Sequence, residues 1–225
     1  RTGGVIEDTG SGQVVVTGTT KLKAANHDIR LDNAGNDFVG SMAVTLTTAD
    51  DFVLDDANDL TMSKINVVGG VEIDAGGSVT FTEAVVVGRN LDVDANANNA
   101  AGGVIVDTGL GSFAITGKTI LDAGAANDLT LDNRSNDFGL EVEIVNANNA
   151  TLVDKNSLII DGGTVAGNMD VDTAGFVKVT DAVSVGGNLD VDPHAVYNFV
   201  TTKSFKYPGT DAPRAYGISG DNIVG

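Results

Sequence analysis

The chain has 225 residues, 31 acidic against 13 basic, giving a formal charge of -18 with no cysteine and no tryptophan. This balance repels nucleic-acid phosphates and anionic membranes, excluding both as partners, and attracts divalent cations; without thiols there are no disulfides and no thiolate metal sites. No apolar run reaches the ~20 residues of a membrane-spanning helix, and a start at Arg1 leads us to expect a mature or excised piece of something longer.

With 29 glycines, 3 prolines and many Asn and Asp, the composition fits short strands between tight turns. In chain order, alternation of apolar and polar residues predicts strands at 14–17, 29–32, 43–47, 52–55, 60–62, 65–68, 71–74, 79–82, 84–87 and 91–94, with equivalents in the second half. No apolar stripe of helical period persists, and glycine, Asn, Asp and β-branched residues oppose helix.

Two repeats organise these strands. VGRNLDVDA from Val87 returns as VGGNLDVDP from Val185, and VVGGVEIDA from Val67 and VAGNMDVDT from Val165 each start twenty residues earlier. More distant copies are VTGTTKLKA from Val16 and ITGKTILDA from Ile115. A longer repeat of about a hundred residues carries DTG from Asp8 to Asp107, LDN from Leu31 to Leu131, NDF from Asn36 to Asn136 and LDVD from Leu91 to Leu189. Several short strands per twenty residues predict an all-β fold, a single-stranded parallel β-helix (β-solenoid) with about 20 residues per coil. Roughly nine coils at ~4.8 Å per rung make a rod roughly 40 to 45 Å long. NANNAAGG after Ala95 reads as a loop bulging from one coil. Residues 1–203 form the solenoid; residues 204–225, rich in proline and tyrosine, read as a linker and the start of a second module or assembly tail.

Stacking of copies twenty residues apart places Glu72 over Asp92, Asp74 over Asp94, Asp170 over Asp190 and Asp172 over Asp192. Such carboxylates either face solvent, screened by water and salt, or form a ladder for calcium, the one cofactor the sequence suggests. The glycine-rich nonapeptide of dedicated calcium solenoids is missing, and the AspAsp pairs at Asp50 and Asp55 lack EF-hand spacing. Asn33, Asn36, Asn133 and Asn136 suit left-handed bends and stacked amide ladders inside a coil, the alternative being a glycan or ligand contact. Of the two histidines, His27 and His194, His27 has Asp128 at its equivalent place and reads as a polar turn residue; Ser and Thr lack a paired His and Asp, so no catalytic residue is expected. The glycine pairs at Gly69 and Gly186 precede no helix and do not cradle phosphate. An enzyme needs one special place, and this sequence offers many equivalent ones.

The motifs NDF with Gly40 or Gly139, LDN, VGGNLDVD and ITGKTILDAG resemble the repeats of very large secreted bacterial surface proteins, the filamentous-haemagglutinin-like and related β-strand-repeat adhesins, over about Val5 to Thr202. The resemblance implies export to the bacterial surface and a right-handed parallel β-helix used as stalk, adhesin or matrix fibre. Ala215 to Gly225 resembles the short bacterial HAF-type extracellular repeat. The expected role is a structural rod that stacks head to tail on copies or neighbouring repeats and meets glycans or cell surfaces, because both rod ends expose unpaired strand edges. The alternative is a carbohydrate-binding or carbohydrate-cleaving β-helix.

Overall fold

A computed structural model of the chain describes residues 4–48, 50–97, 102–194 and 200–201. The tail expected at 204–225 lies outside these residues, as does the middle of the NANNAAGG loop.

Every strand pairing among the described residues is parallel, and the chain winds as a β-solenoid of about nine coils of roughly 21 residues. One ten-stranded sheet stacks Ile6–Glu7, Ile29–Leu31, Phe52–Asp56, Val71–Ala75, Leu91–Asp94, Thr119–Asp122, Glu141–Ala147, Leu158–Val165, Val177–Val185 and Val200–Thr201. A twelve-stranded sheet branches at Leu60–Val67. The first half of that strand carries Val79–Phe81, Ile105–Asp107, Leu129–Leu131, Ala150–Asp154, Met169–Thr173 and Leu189–Pro193 in turn. Its second half lies between Met42–Leu46, with Thr20–Ala24 below, and Ala84–Val87, which continues into Ser112–Ile115 and Asp137–Phe138. Val15–Val16 pairs with Asp37–Phe38. Each coil in the first half therefore lays down three strands facing one interior.

Alternation is the cause. Phe52 and Leu54, Val71 and Ile73, and Leu91 and Val93 point inward and are buried, and each lies over its equivalent one coil away. A single coil has too few apolar side chains to form a core; stacking joins them into one continuous cluster. Phe81, Phe113 and Phe138 extend along it, with ring centroids 5.0 Å apart edge to face and then 5.8 Å apart.

The expected strands are present, with differences at their ends. Residues 60–62 and 65–68 fuse into Leu60–Val67, and the register to Met42–Leu46 slips by one residue where they meet. Ile6–Glu7, Thr20–Ala24 and Asp37–Phe38 are additional strands. The hundred-residue repeat is not a whole number of coils: Ile29–Leu31 lies in the ten-stranded sheet, but its equivalent Leu129–Leu131 lies in the twelve-stranded one. The second long copy is thus turned by one face relative to the first.

Close approach of coils explains the glycines at the sheet corners. A Cβ at Gly88 would come 2.2 Å from the Val68 carbonyl oxygen, and one at Gly186 2.1 Å from that of Ala166. Each carbonyl belongs to the coil below and cannot retreat without breaking its ladder. Gly186→Ala is expected to lower stability by about 1 to 2 kcal/mol, read as an earlier urea midpoint; an unchanged midpoint would show that the corner is loose.

Candidate functional site

The acidic side chains stack as the twenty-residue spacing predicts. Glu72 is in register with Asp92 and Asp74 with Asp94, and Asp170 with Asp190 and Asp172 with Asp192. Because of the turn between long copies, these eight residues form two separate groups. The first four lie on the ten-stranded sheet, the last four on the twelve-stranded sheet.

The first group belongs to a longer column. Asp55, Asp74, Asp94 and Asp122 are in register on four successive coils, and Asn146 takes the fifth place. Burial and then the flanking carboxylates, Asp55 foremost, push Asp74 up to about 6. Burial and then Asp32 raise Asp55, and burial and then Glu72 raise Asp92. Burial also raises Asp94, which the amide of Asn96 tempers with a 2.7 Å hydrogen bond. In the second group burial, followed by Asp190, raises Asp170, and His194 Nε2 lies 3.0 Å from Asp172. Among the described residues no three His, Asp or Glu side chains converge closely enough to hold a metal ion.

A different set of carboxylates points inward. Asp56, Asp107 and Asp154 are buried, and so are Asn36 and Asn136. They build the same clasp twice. Asn36 accepts the Val14 amide at 2.9 Å and donates to Asp8 at 2.7 Å and to the Leu31 carbonyl at 3.0 Å. One coil on, Asp56 accepts the Phe38 amide at 2.9 Å and Ala57 donates to the Asn36 carbonyl at 2.7 Å. In the second copy Asn136 accepts the Phe113 amide at 2.9 Å and donates to Asp107 at 2.9 Å. Asp154 accepts the Phe138 amide at 2.8 Å and Lys155 donates to the Asn136 carbonyl at 2.8 Å. Each clasp ties three successive coils. Asn33 and Asn133 close the adjoining turns, their Oδ1 accepting from the amides of Gly35 and Ser135, each at 2.9 Å. The Asn pairs are therefore turn residues as expected, but their backbone is not left-handed, and their side chains meet carboxylates and backbone groups instead of stacking as an amide ladder.

Lys118, not singled out by its sequence context, braces three coils: its Nζ lies 2.7 Å from Glu143 and 2.9 Å from Asp161. Hydrogen bonding to Glu143 and then Asp161 raises its pKa, and the same bond holds Asp161 low.

One surface groove of about 720 Å³ crosses the ten-stranded sheet, where Arg30, Asp51, Glu72, Arg89, Asn90 and Asp92 line it. Arg89 is 3.9 Å from Asp51, and both are well exposed. Phe52, beneath the groove, is buried, so the groove offers charged and amide groups but no aromatic platform.

Residues 1–47, 87–145 and 147–196 match the model of a family described as repeats of unknown function (DUF5649). No curated protein gives a significant match. No solved structure does so either. With most of its length matched, the chain belongs to this family of repeats, DUF5649.

Proposed function

We propose that this repeat protein is a structural segment of an extracellular bacterial surface or matrix protein, an adhesin stalk or fibre-forming subunit extended through its ends. One observation carries the reading: a single apolar cluster fills the coils, and the hydrophobic residues left half covered against it, Ile6, Val14, Val16, Leu22 and Leu189, lie at its two ends. A core built this way resists bending along its length and gains stability from whatever continues it. Catalysis has no place in this reading, since the carboxylates recur rung after rung instead of gathering at one spot. Calcium is not required; the acidic columns are where it would act, stiffening the rod by bridging like charges.

A second reading, carbohydrate binding, is favoured by the groove over Glu72 and Asp92, whose carboxylates, Asn90 amide and Arg30 and Arg89 guanidinium groups suit the hydroxyls of a glycan.

Electron microscopy of the purified chain at matched concentration, with calcium and with chelator, separates these readings. The structural reading predicts short rods that join end to end; their disappearance on chelation would assign calcium to the columns. Single compact particles that bind glycan and never join would replace the structural reading with the second one.

A further inference from the structure

Resting on the structural reading above, we propose that a second copy of this chain docks on the C-terminal end of the described coils, its Thr20–Ala24 strand laid on Leu189–Pro193 so that Lys21 sits over Asp190 and Lys23 over Asp192.

The register comes from the joint already inside the molecule. There, Thr119–Asp122 lies directly on Leu91–Asp94, with Thr119 on Leu91, Ile120 on Asp92, Leu121 on Val93 and Asp122 on Asp94. The repeat makes TKLK from Thr20 the counterpart of TILD from Thr119, and LDVD from Leu189 the counterpart of LDVD from Leu91. A copy that follows the second long repeat as the second follows the first therefore places Thr20 on Leu189 and Leu22 on Val191. Leu22 and Leu189 are the half-covered residues of this pairing, and among the described residues Leu189–Pro193 pairs on one side only, with Met169–Thr173.

Charge is what distinguishes this joint from the internal one. Internally, Ile120 and Asp122 face Asp92 and Asp94, so neither of these two positions carries a cation. At the N-terminal edge both outward positions are exposed lysines, and they meet Asp190 and Asp192 on the last acidic rung. For a chain of charge -18, copies repel in bulk. Association thus depends on local opposite charge, which the N-terminal edge supplies where the internal counterpart has none.

A second edge fits as well. Phe113 and Ile115 lie on Val85 and Val87 internally; the same rule puts Val14 and Val16 of the incoming copy on Val183 and Val185. Val15, 63% exposed, would then lie over Ser184. The third edge is already occupied, because Val200–Thr201 pairs with Lys178 and Val179. There the incoming Ile6–Glu7 strand and the chain's own Val200–Thr201 compete for one place.

Sedimentation velocity of the full chain over a concentration series tests the joint, with four samples: wild type, K21E/K23E, D190K/D192K and an equal mixture of the two variants. All substituted side chains point outward, and circular dichroism verifies folding. We expect wild type to form chains of several copies, each variant alone to associate at least tenfold more weakly, and the mixture to recover wild-type chains built of alternating variants. Variants that assemble like wild type, or a mixture that stays monomeric, would overturn the register. A wild type that stays monomeric would overturn the joint itself while leaving the rod reading to be judged on particle shape.

Discussion

Replacing Asn136 by Ala is expected to destabilise the protein by about 3 to 5 kcal/mol. The side chain is wholly buried and serves two groups, the Phe113 amide and the buried Asp107 carboxylate. Each orphaned buried group costs about 1 to 3 kcal/mol, more when charged, and the truncated side chain leaves a gap. Asp107 still keeps the Asp132 and Asn133 amides, at 3.0 and 3.3 Å, so the loss stops short of unfolding the chain at neutral pH. Burial already raises the Asp107 pKa against these hydrogen bonds, that of Asn136 foremost; without Asn136 it rises further, so the variant regains part of its loss as the pH falls. Urea unfolding at pH 7 and pH 5 measures both effects. A loss under 1 kcal/mol would mean that the clasp is decoration rather than a tie between coils.

The second large effect concerns pH. Asp74 titrates at about 6 in the folded chain, against an ordinary value of 3.8. Its folded form holds a proton over a range where the unfolded chain has released it. The stability this proton confers is fully present below about pH 4 and is lost as pH rises through 6. Asp55, Asp92, Asp94 and Asp170 are raised in the same direction and add to the slope. Asp128, Asp137 and Asp161 are held low by side-chain hydrogen bonds, from Asn149, Lys155 and Lys118 respectively, so their contribution is lost only as pH falls below the ordinary value. Wild type is therefore expected to unfold at a higher temperature at pH 5 than at pH 7. Asp74→Asn should flatten that difference and stabilise the chain at pH 7 by about 2 kcal/mol, a figure allowing for solvent screening of a half-buried group. A variant less stable than wild type at pH 7 would mean that Asp74 has a favourable partner, a bound cation foremost.

These expectations divide between what the sequence discloses and what it hides. The rung partners of Glu72 and Asp74 were legible because their copies lie twenty residues apart with no insertion between them. The split of the acidic residues into two groups was not, because a repeat length does not reveal how many strands fill a coil. Asp56, Asp107 and Asp154 were hidden for another reason: charged residues in polar turns read as surface. A signal was present. Phe52, Leu54 and Asp56 share one parity, as do Ala150, Leu152 and Asp154, and the parity that carries the apolar residues inward carries the carboxylate with them. Thr20–Ala24 shows the right alternation but carries lysines where related segments carry acids or apolar residues, so the repeat marks it as a distant copy and does not disclose it as a strand. Lys118 had no local signal at all, since its partners lie 25 and 43 residues further along and meet it only through coiling.

Everything above rests on the stacking register of successive coils. The chain has no cysteine, so introduced pairs report without background. Asp94→Cys/Asp122→Cys joins positions 28 residues apart that are in register on adjacent coils, and a short thiol-bridging reagent should link them within the native monomer. Asp94→Cys/Asp192→Cys joins sequence equivalents that lie on different sheets, and it should remain unlinked within a monomer. Free thiols in the first pair until the chain is unfolded, or rapid intramolecular linkage of the second, would contradict the account.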